Sequence, residues 1–221
     1  MNYLSHYYID HQKGNYYFNA ALFLPDFARN YVKHFTNTFT DFTEHEQNLL
    51  AGCLAHYQAD KTFHPSAFFN QYNTAIVEEI NQFVPLAHLP RKWFLGHILT
   101  EMLIDRLIVK QMPEICHQFY HDLAQIDTKI LHVYVSRFSF KNADPFIKNF
   151  RHFCDARYLF GYALDESFVY SLTRVYAHTT KTDITLNDKM LVKQLVNFIE
   201  QKYFNEPMTI LAALKTVFQT Q

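Results

Sequence analysis

Metal-ligand side chains recur at every fourth position in two segments of this 221-residue chain. The two rows are His56-x3-Asp60-x3-His64 and His97-x3-Glu101-x3-Asp105. On an α-helix a four-residue step turns by about 400°, so each row stays on one side of its helix. The intervening residues are mostly apolar, which favours an inward-facing row, where an unpaired imidazole or carboxylate is costly. A bound metal ion would compensate both rows.

The number of such spaced pairs exceeds what composition alone predicts. With 13 His and 21 acidic residues, about 1.2 His-x3-acid pairs are expected by chance, and three occur. They are His6/Asp10, His56/Asp60 and His97/Glu101. When a further His or acid is required four residues later, the expectation falls to roughly 0.2, yet two of the three pairs qualify.

Helix geometry limits which of these side chains can share an ion. At a rise of about 1.5 Å per residue, His56 and His64 lie roughly 12 Å apart, so they cannot both coordinate one ion directly. We expect His56 to act with Asp60, while His64 either serves a second ion or orients substrate. The same limit separates the ends of the second row. Ligands must therefore come from several helices that converge on one or two ions. Two further candidate ligands lie upstream, His6 and Asp26.

The types of ligand restrict the metal and the compartment. Imidazole and carboxylate together suit Zn²⁺, Mn²⁺ or Fe²⁺, and the lack of thiolates argues against a purely structural zinc site. The three cysteines, Cys53, Cys116 and Cys154, are widely spaced, as is typical of reduced thiols in a cytoplasmic protein. The first residues lack the pattern of a signal peptide, and no run approaches 18 apolar residues, so we expect a cytoplasmic protein without a membrane span.

Composition favours an ordinary globular domain and excludes several classes of site. The hydrophobic fraction of 49% is sufficient for a large core. A net charge of −1 gives no general attraction to nucleic acid or to an anionic membrane. Only four glycines occur, and no Walker or Rossmann motif is present, so phosphate chemistry would have to run through a metal.

Apolar periodicity and capping signals predict an all-α fold. A capping box at Thr43 to Glu46 opens the helix of the first row, and Pro65 ends it near His64. The segment 131–140 is the one stretch that is ambiguous between helix and strand. We expect a single domain over 1–221, a bundle of seven to nine helices. The predicted helices are 16–34, interrupted by Pro25 with a possible new turn from Asp26, and 43–64, 71–83, 91–111, 113–138, 144–154, 156–179, 187–204 and 207–219.

Two glycines lie inside predicted helices, close to candidate ligands. Gly52 precedes His56 by four residues, and Gly96 directly precedes His97. Glycine in a helix costs about 1 kcal/mol relative to alanine. Close approach of the two row-bearing helices to each other would offset that cost. The alternative is that each glycine is simply tolerated.

Several segments together resemble the acyl carrier protein phosphodiesterases, a family related to HD-type metal phosphohydrolases. The similarity is collinear over about 180 residues. It covers the opening Met1 to His6, the segment Asn19 to Arg29 with Asp26-Phe27, Ala51-Gly52 followed by His56-x3-Asp60, Glu101-x3-Asp105 with Leu107, and Tyr158 to Thr179 with Phe168, Val169 and Leu172. The resemblance implies an HD-like metal site that hydrolyses holo-acyl carrier protein and releases 4′-phosphopantetheine.

Three positions depart from that family's pattern. His64 replaces an acid, Glu101 replaces an aspartate, and His97 is added. These changes bring the chain closer to the zinc-dependent phospholipase C pattern, which implies a hydrolase of small diesters as an alternative. A second alternative is a non-catalytic helical interaction protein, whose polar rows satisfy each other.

The hydrolase interpretation assigns roles to the charged residues near the rows. Asp60 and Lys61 are the expected catalytic residues, and Arg29 and Arg106 the expected substrate contacts. Lys61 and the two arginines could meet a phosphate or an acidic carrier protein; the alternative for each is a solvated surface charge.

Overall fold

The computed structural model describes residues 1–35 and 39–219, and these residues are almost entirely helical. They form no strand; Val32 and Ser139 make an isolated antiparallel bridge. The all-α prediction is confirmed. The α-helices are α1 Tyr3–Asp10, α2 Tyr16–Ala21, α3 Leu24–Phe27, α4 Glu44–Phe63, α5 Ala67–Gln82, α6 Lys92–Gln111, α7 Pro113–Ala124, α8 Thr128–Phe138, α9 Asp144–Ala156, α10 Asp165–Thr180, α11 Leu186–Tyr203 and α12 Pro207–Gln219. Two 3-10 helices, Val84–Leu86 and Tyr158–Ala163, complete the set for the described chain.

The helix ends follow local capping chemistry. The predicted capping box opens α4, since the Glu46 carboxylate accepts the Thr43 backbone N–H at 2.9 Å and the Thr43 hydroxyl accepts the Glu46 N–H at 3.3 Å. The Ser66 hydroxyl caps α5 by accepting the Phe69 N–H. The ambiguous segment is helical through Phe138, within α8.

Sequence periodicity misjudged three of the predicted helices. The helix predicted over 156–179 is the 3-10 helix Tyr158–Ala163 followed by α10, because Leu164 between them adopts an extended conformation. The single helix predicted over 113–138 is two helices, because Asp127 adopts an extended conformation and caps α8 by accepting the Lys129 N–H at 2.7 Å. The helix predicted over 16–34 is replaced by the shorter α2 and α3, and α1 was not predicted. These short helices raise the number of helices among the described residues above the predicted nine.

The chain divides into two compact units. Unit 1 contains Met1–Lys61 and Met112–Leu159, and unit 2 contains Thr62–Gln111 and Phe160–Gln221. The first boundary falls inside α4.

Aromatic side chains fill the core of unit 1. The Phe23 ring, fully buried at the end of α2, contacts the rings of Tyr3, Phe27, Phe119 and Phe153. Such ring pairs stabilise a core beyond the area that they bury. Because α1, α3, α7 and α9 all contribute to this cluster, it fixes helices of the unit that carries His6, His56 and Asp60.

Helix α6 is the centre of unit 2, where it packs against α5, α10 and α12. It has a nearly continuous run of buried residues from Ile98 to Val109, interrupted only by the partly exposed Glu101. Among the described helices, none is both long and apolar enough to cross a lipid bilayer.

Candidate metal centre

Three of the predicted ligands meet in unit 1. His6 comes from α1, while His56 and Asp60 lie one turn apart on α4. One potential ligand atom of each lies within 4.8 Å of the others. His6 Nε2 is 3.3 Å from Asp60 Oδ1, and His56 Nε2 is 3.5 Å from Asp60 Oδ2. We call these three residues the first triad.

His6 is the most constrained member of the first triad. Its side chain is fully buried, and its ring stacks on that of His56 with centroids 3.8 Å apart. Neither ring nitrogen makes a hydrogen bond of good geometry with any described residue. Burial, and then the neighbouring His56, lower the pKa of His6 to about 4, so the ring is neutral at pH 7. A neutral buried imidazole is the form that binds a metal ion.

A backbone hydrogen bond sets the tautomer of His56. Its Nδ1 lies 2.8 Å from the carbonyl oxygen of Leu22, which can only accept, so Nδ1 carries the proton. In a neutral ring Nε2 then presents a lone pair, and it faces the carboxylates of Asp60 and, at 4.0 Å, Asp26. A bound cation would stabilise this arrangement of two electron-rich atoms. An Nδ1–H bonded to a backbone carbonyl is also the usual arrangement behind a metal-bound histidine.

Gly52 explains how His56 reaches that carbonyl. A Cβ at Gly52 would lie 2.2 Å from the Phe18 carbonyl oxygen and 2.6 Å from the Ala21 Cβ, both on α2. The missing side chain lets α4 approach α2, whose end carries Leu22. The predicted close approach is therefore present, but its partner is α2 and not the helix of the second row.

The carboxylates of Asp60 and of the adjoining Asp26 are partly exposed, while the imidazoles of the first triad are buried. The side chain of Asp60 is 28% exposed and that of Asp26 is 40% exposed, against 0% and 2% for His6 and His56. Burial alone would raise the pKa of Asp60, but contact with His6 and the Met1 amino group, 2.6 Å away, hold it below its ordinary value. The triad thus combines an ionised carboxylate on an open side with two buried imidazoles.

A buried polar network that the sequence did not reveal anchors α1. The Asp122 carboxylate on α7 is 2% exposed. It accepts hydrogen bonds from the Tyr7 hydroxyl at 2.8 Å, the Asn19 amide at 2.7 Å and the Gln118 amide at 2.7 Å. Tyr7 adjoins His6 on α1, so the network fixes the helix that presents this imidazole. Gln118 and Asp122 are one turn apart on α7, but Tyr7 and Asn19 lie 115 and 103 residues from Asp122 in sequence, which is why sequence inspection missed the network.

A second triad lies in unit 2 and consists of His64, His97 and Glu101. Glu101 Oε1 is 2.9 Å from His64 Nε2 and 3.1 Å from His97 Nε2. The two rings are stacked with centroids 5.1 Å apart. Burial would raise the pKa of Glu101, but positive charge nearby and the hydrogen bonds with both histidines bring it well below its ordinary value. The structure thus assigns His56 and His64 to different groups, as helix geometry predicted.

Both triads fit a divalent transition metal by the chemistry of their ligands. Each offers two imidazoles and one carboxylate, the set found in many zinc and non-haem iron sites that keep positions open for water or substrate. Ligands of one ion at about 2.1 Å are separated by about 3.0 Å in octahedral and about 3.4 Å in tetrahedral geometry. The nitrogen–oxygen distances in the triads, 2.9 to 3.5 Å, are within about 0.1 Å of that range.

The other predicted site residues lie outside the two triads. Asp26 adjoins the first triad through His56. Asp105 is fully buried on α6, one turn beyond Glu101. Lys61 and Arg29 are exposed; Lys61 follows Asp60 directly, and Arg29 lies just beyond α3.

Arg106 requires a correction. It is 1% exposed, and its guanidinium binds the carboxylates of Glu200 and Asp165 and the Tyr162 carbonyl, all within unit 2. The guanidinium also lies 4.9 Å from the centre of the Phe168 ring. A guanidinium that is buried and paired in this way is not available to a substrate, so the predicted substrate contact is wrong. Arg106 instead links α6 to α10 and α11.

Gly96 also has a different partner from the one expected. A Cβ there would lie 2.4 Å from Val77 Cγ2 on α5, so this glycine lets α6 pack against α5. The next residue on α6, His97, makes an edge-to-face contact with Phe69 of α5, with ring centroids 5.1 Å apart.

The chain matches no protein-family model, and searches of curated proteins and of solved structures gave no match either. A functional assignment therefore depends on the geometry and chemistry of the two triads.

Proposed function

We propose that this protein is a divalent-metal-dependent phosphodiester hydrolase, with His6, His56 and Asp60 as its metal ligands. One observation carries the proposal: the fully buried His6, without a hydrogen bond to any described residue, stacks on a second imidazole that faces the same carboxylate. An unpaired buried polar group costs about 1–3 kcal/mol. A bound cation would remove that cost for His6.

The open side of the first triad suits hydrolysis. A bound ion would lower the pKa of a coordinated water and neutralise the charge of a phosphate diester. His6 and His56 would hold the ion from the buried side, with His56 oriented by the Leu22 carbonyl. Asp60 and Asp26, both partly exposed, face the side from which water and substrate would enter.

Holo-acyl carrier protein is the proposed substrate, because the resemblance to the acyl carrier protein phosphodiesterases includes the segments that carry the first triad. Such carriers are acidic. Lys61 and Arg29 are exposed and adjoin the segments that bear Asp60 and Asp26, so they are placed to attract an acidic partner or a phosphate. The metal would be Mn²⁺, Zn²⁺ or Fe²⁺.

Metal binding is tested first, on the wild-type protein and on Asp60→Asn. At a metal concentration of 100 times Kd, binding stabilises the folded state by about 2.7 kcal/mol. For a chain of this size we expect the Tm of the wild type to rise by about 5–10 °C with Mn²⁺ or Zn²⁺. Asp60→Asn should lose most of the increase that the first triad contributes. Asp155→Asn, an exposed position on α9 of the same unit, is the matched control and should behave as the wild type does.

Activity is tested with holo-carrier and with bis-p-nitrophenyl phosphate. We expect metal-dependent release of 4′-phosphopantetheine that Asp60→Asn abolishes. Lys61→Glu should lower kcat/KM for the carrier and leave the small diester unaffected, whereas Lys129→Glu, an exposed lysine of the same unit, should change neither. If only the small diester were cleaved, the proposed substrate would be a small diester and not the carrier protein. No cleavage of either, and no Asp60-dependent metal binding, would reject the hydrolase in favour of a non-catalytic protein.

A further inference from the structure

We propose that His64, His97 and Glu101 form a second metal site, which takes a zinc-class transition metal ion whether or not the protein is a hydrolase. The site shares no ligand with the first triad. Its preferred ions are Zn²⁺, Co²⁺ and Ni²⁺, because two of its three ligands are imidazoles, whereas Mg²⁺ and Ca²⁺ prefer sites made of oxygen atoms.

Both imidazole nitrogens are already at coordination distance from the carboxylate oxygen, and all three ligand atoms lie within 4.8 Å of one another. Both Nε2 atoms converge on the same oxygen of Glu101, at 2.9 and 3.1 Å. These separations match neighbouring ligands of an octahedral ion, about 3.0 Å apart for bonds of about 2.1 Å. Only small movements would therefore be needed to admit an ion, which favours tight binding since little side-chain freedom remains to be lost.

Surrounding side chains fix the two imidazoles. Phe69, which is 4% exposed, packs edge-on against both rings, with centroids 5.2 Å from His64 and 5.1 Å from His97. His97 and Glu101 are one turn apart on α6, and Gly96 lets this helix lie close to the α5 that carries Phe69. Rigid support of this kind is what holds the ligands of a functional metal site in place.

The second triad is also accessible. The side chains of His64 and His97 are 35% and 34% exposed, and that of Glu101 is 14% exposed. An ion can therefore enter from solvent, and water can occupy its remaining positions. This differs from the first triad, whose imidazoles are buried, and we expect faster metal exchange at the second.

A titration with Co²⁺ separates the two sites. Visible absorption reports coordination by the protein, and mass spectrometry of the folded protein counts the ions. We expect two equivalents in the wild type, and one in each of His97→Gln and Asp60→Asn. His97→Gln should lower the Co²⁺ affinity of the second site at least 100-fold. In the wild type, a 1,000-fold excess of Mg²⁺ should not displace the bound Co²⁺.

His88→Gln is the matched control. His88 is an exposed histidine of unit 2, and its Nε2 lies 3.1 Å from a carboxylate oxygen of Asp188, but among the described residues no second imidazole joins this pair. It should bind as many ions as the wild type. If His97→Gln fails to fold, Glu101→Gln serves instead, since its amide oxygen can still accept a hydrogen bond.

The outcomes distinguish this site from the hydrolase centre. The second site would be overturned if His97→Gln still bound two equivalents of Co²⁺. It would also be overturned if the wild type bound a single equivalent that only Asp60→Asn removed. In either case the histidines of the second triad would be simple hydrogen-bond donors to Glu101. One equivalent lost by His97→Gln and none by Asp60→Asn would establish the second site and reject the first triad.

Discussion

Replacing Gly52 by alanine tests whether the close approach of α4 to α2 positions His56. The new Cβ would lie 2.2 Å from the Phe18 carbonyl oxygen. A helical carbonyl cannot rotate out of the way, so α4 must move by about 1 Å to restore ordinary contact. The hydrogen bond from His56 to Leu22, now 2.8 Å, would then be stretched beyond its useful range.

Three terms set the size of the effect on the free energy of unfolding. Overpacking costs about 1–3 kcal/mol, and loss of the His56 hydrogen bond costs about 1 kcal/mol more. The better helix propensity of alanine offsets about 1 kcal/mol of this destabilisation. We expect a net destabilisation of about 2 kcal/mol, which lowers Tm by about 4–8 °C in a chain of this size. Because the Leu22 carbonyl orients a metal ligand, metal affinity should fall about 10–100-fold.

Gly96→Ala provides the comparison. Its new Cβ would meet the Val77 Cγ2 at 2.4 Å, a side-chain methyl group and not a backbone atom. Adding Val77→Ala should therefore restore part of the stability that Gly96→Ala loses, a coupling that a double-mutant cycle measures. The variants are compared by thermal melts with and without Mn²⁺ or Zn²⁺. If Gly52→Ala melted at or above the wild-type temperature and bound metal equally well, the proposed role of this contact would be refuted.

Three further substitutions test the buried polar groups. Arg106→Met should destabilise the fold by about 3 kcal/mol in urea unfolding, because Asp165 and Glu200 lose their shared guanidinium; a change below about 1 kcal/mol would show that the ion pairs contribute little. Tyr7→Phe should cost about 1–2 kcal/mol, since a buried carboxylate loses one of its donors, and an unchanged Tm would contradict that. Burial raises the pKa of Asp10 to about 6, so the folded state binds the proton more tightly than the unfolded chain, and stability falls as pH rises from about 4 to 6. Asp10→Asn should therefore stabilise at pH 7 by up to about 2 kcal/mol and lose this advantage below pH 4, whereas an equal gain at both pH values would exclude titration as the cause.

Local patterns predicted the helical architecture and two of the three members of each triad. The four-residue spacing placed His56 with Asp60 and His97 with Glu101, because helix periodicity alone puts such residues on one side. The capping box at Thr43 also formed as predicted, since it depends on residues within one turn. The break at Asp127 was missed because an N-cap inside a continuous apolar pattern resembles any other polar position.

Long-range packing decided the rest. Gly52 and Gly96 contact α2 and α5, which no spacing along α4 or α6 could reveal. Arg106 is buried by carboxylates 59 and 94 residues away, so its exposure could not be read from its neighbours in sequence.

The sequence by itself determined which side chains share a helix face, because the backbone's own hydrogen bonds fix that geometry within a single turn. Only the tertiary structure decided that His6 completes the first triad and His64 the second. Those two imidazoles arrive from separate segments, and their positions depend on the packing of aromatic rings and on the Asp122 network, which operate between residues far apart in the chain.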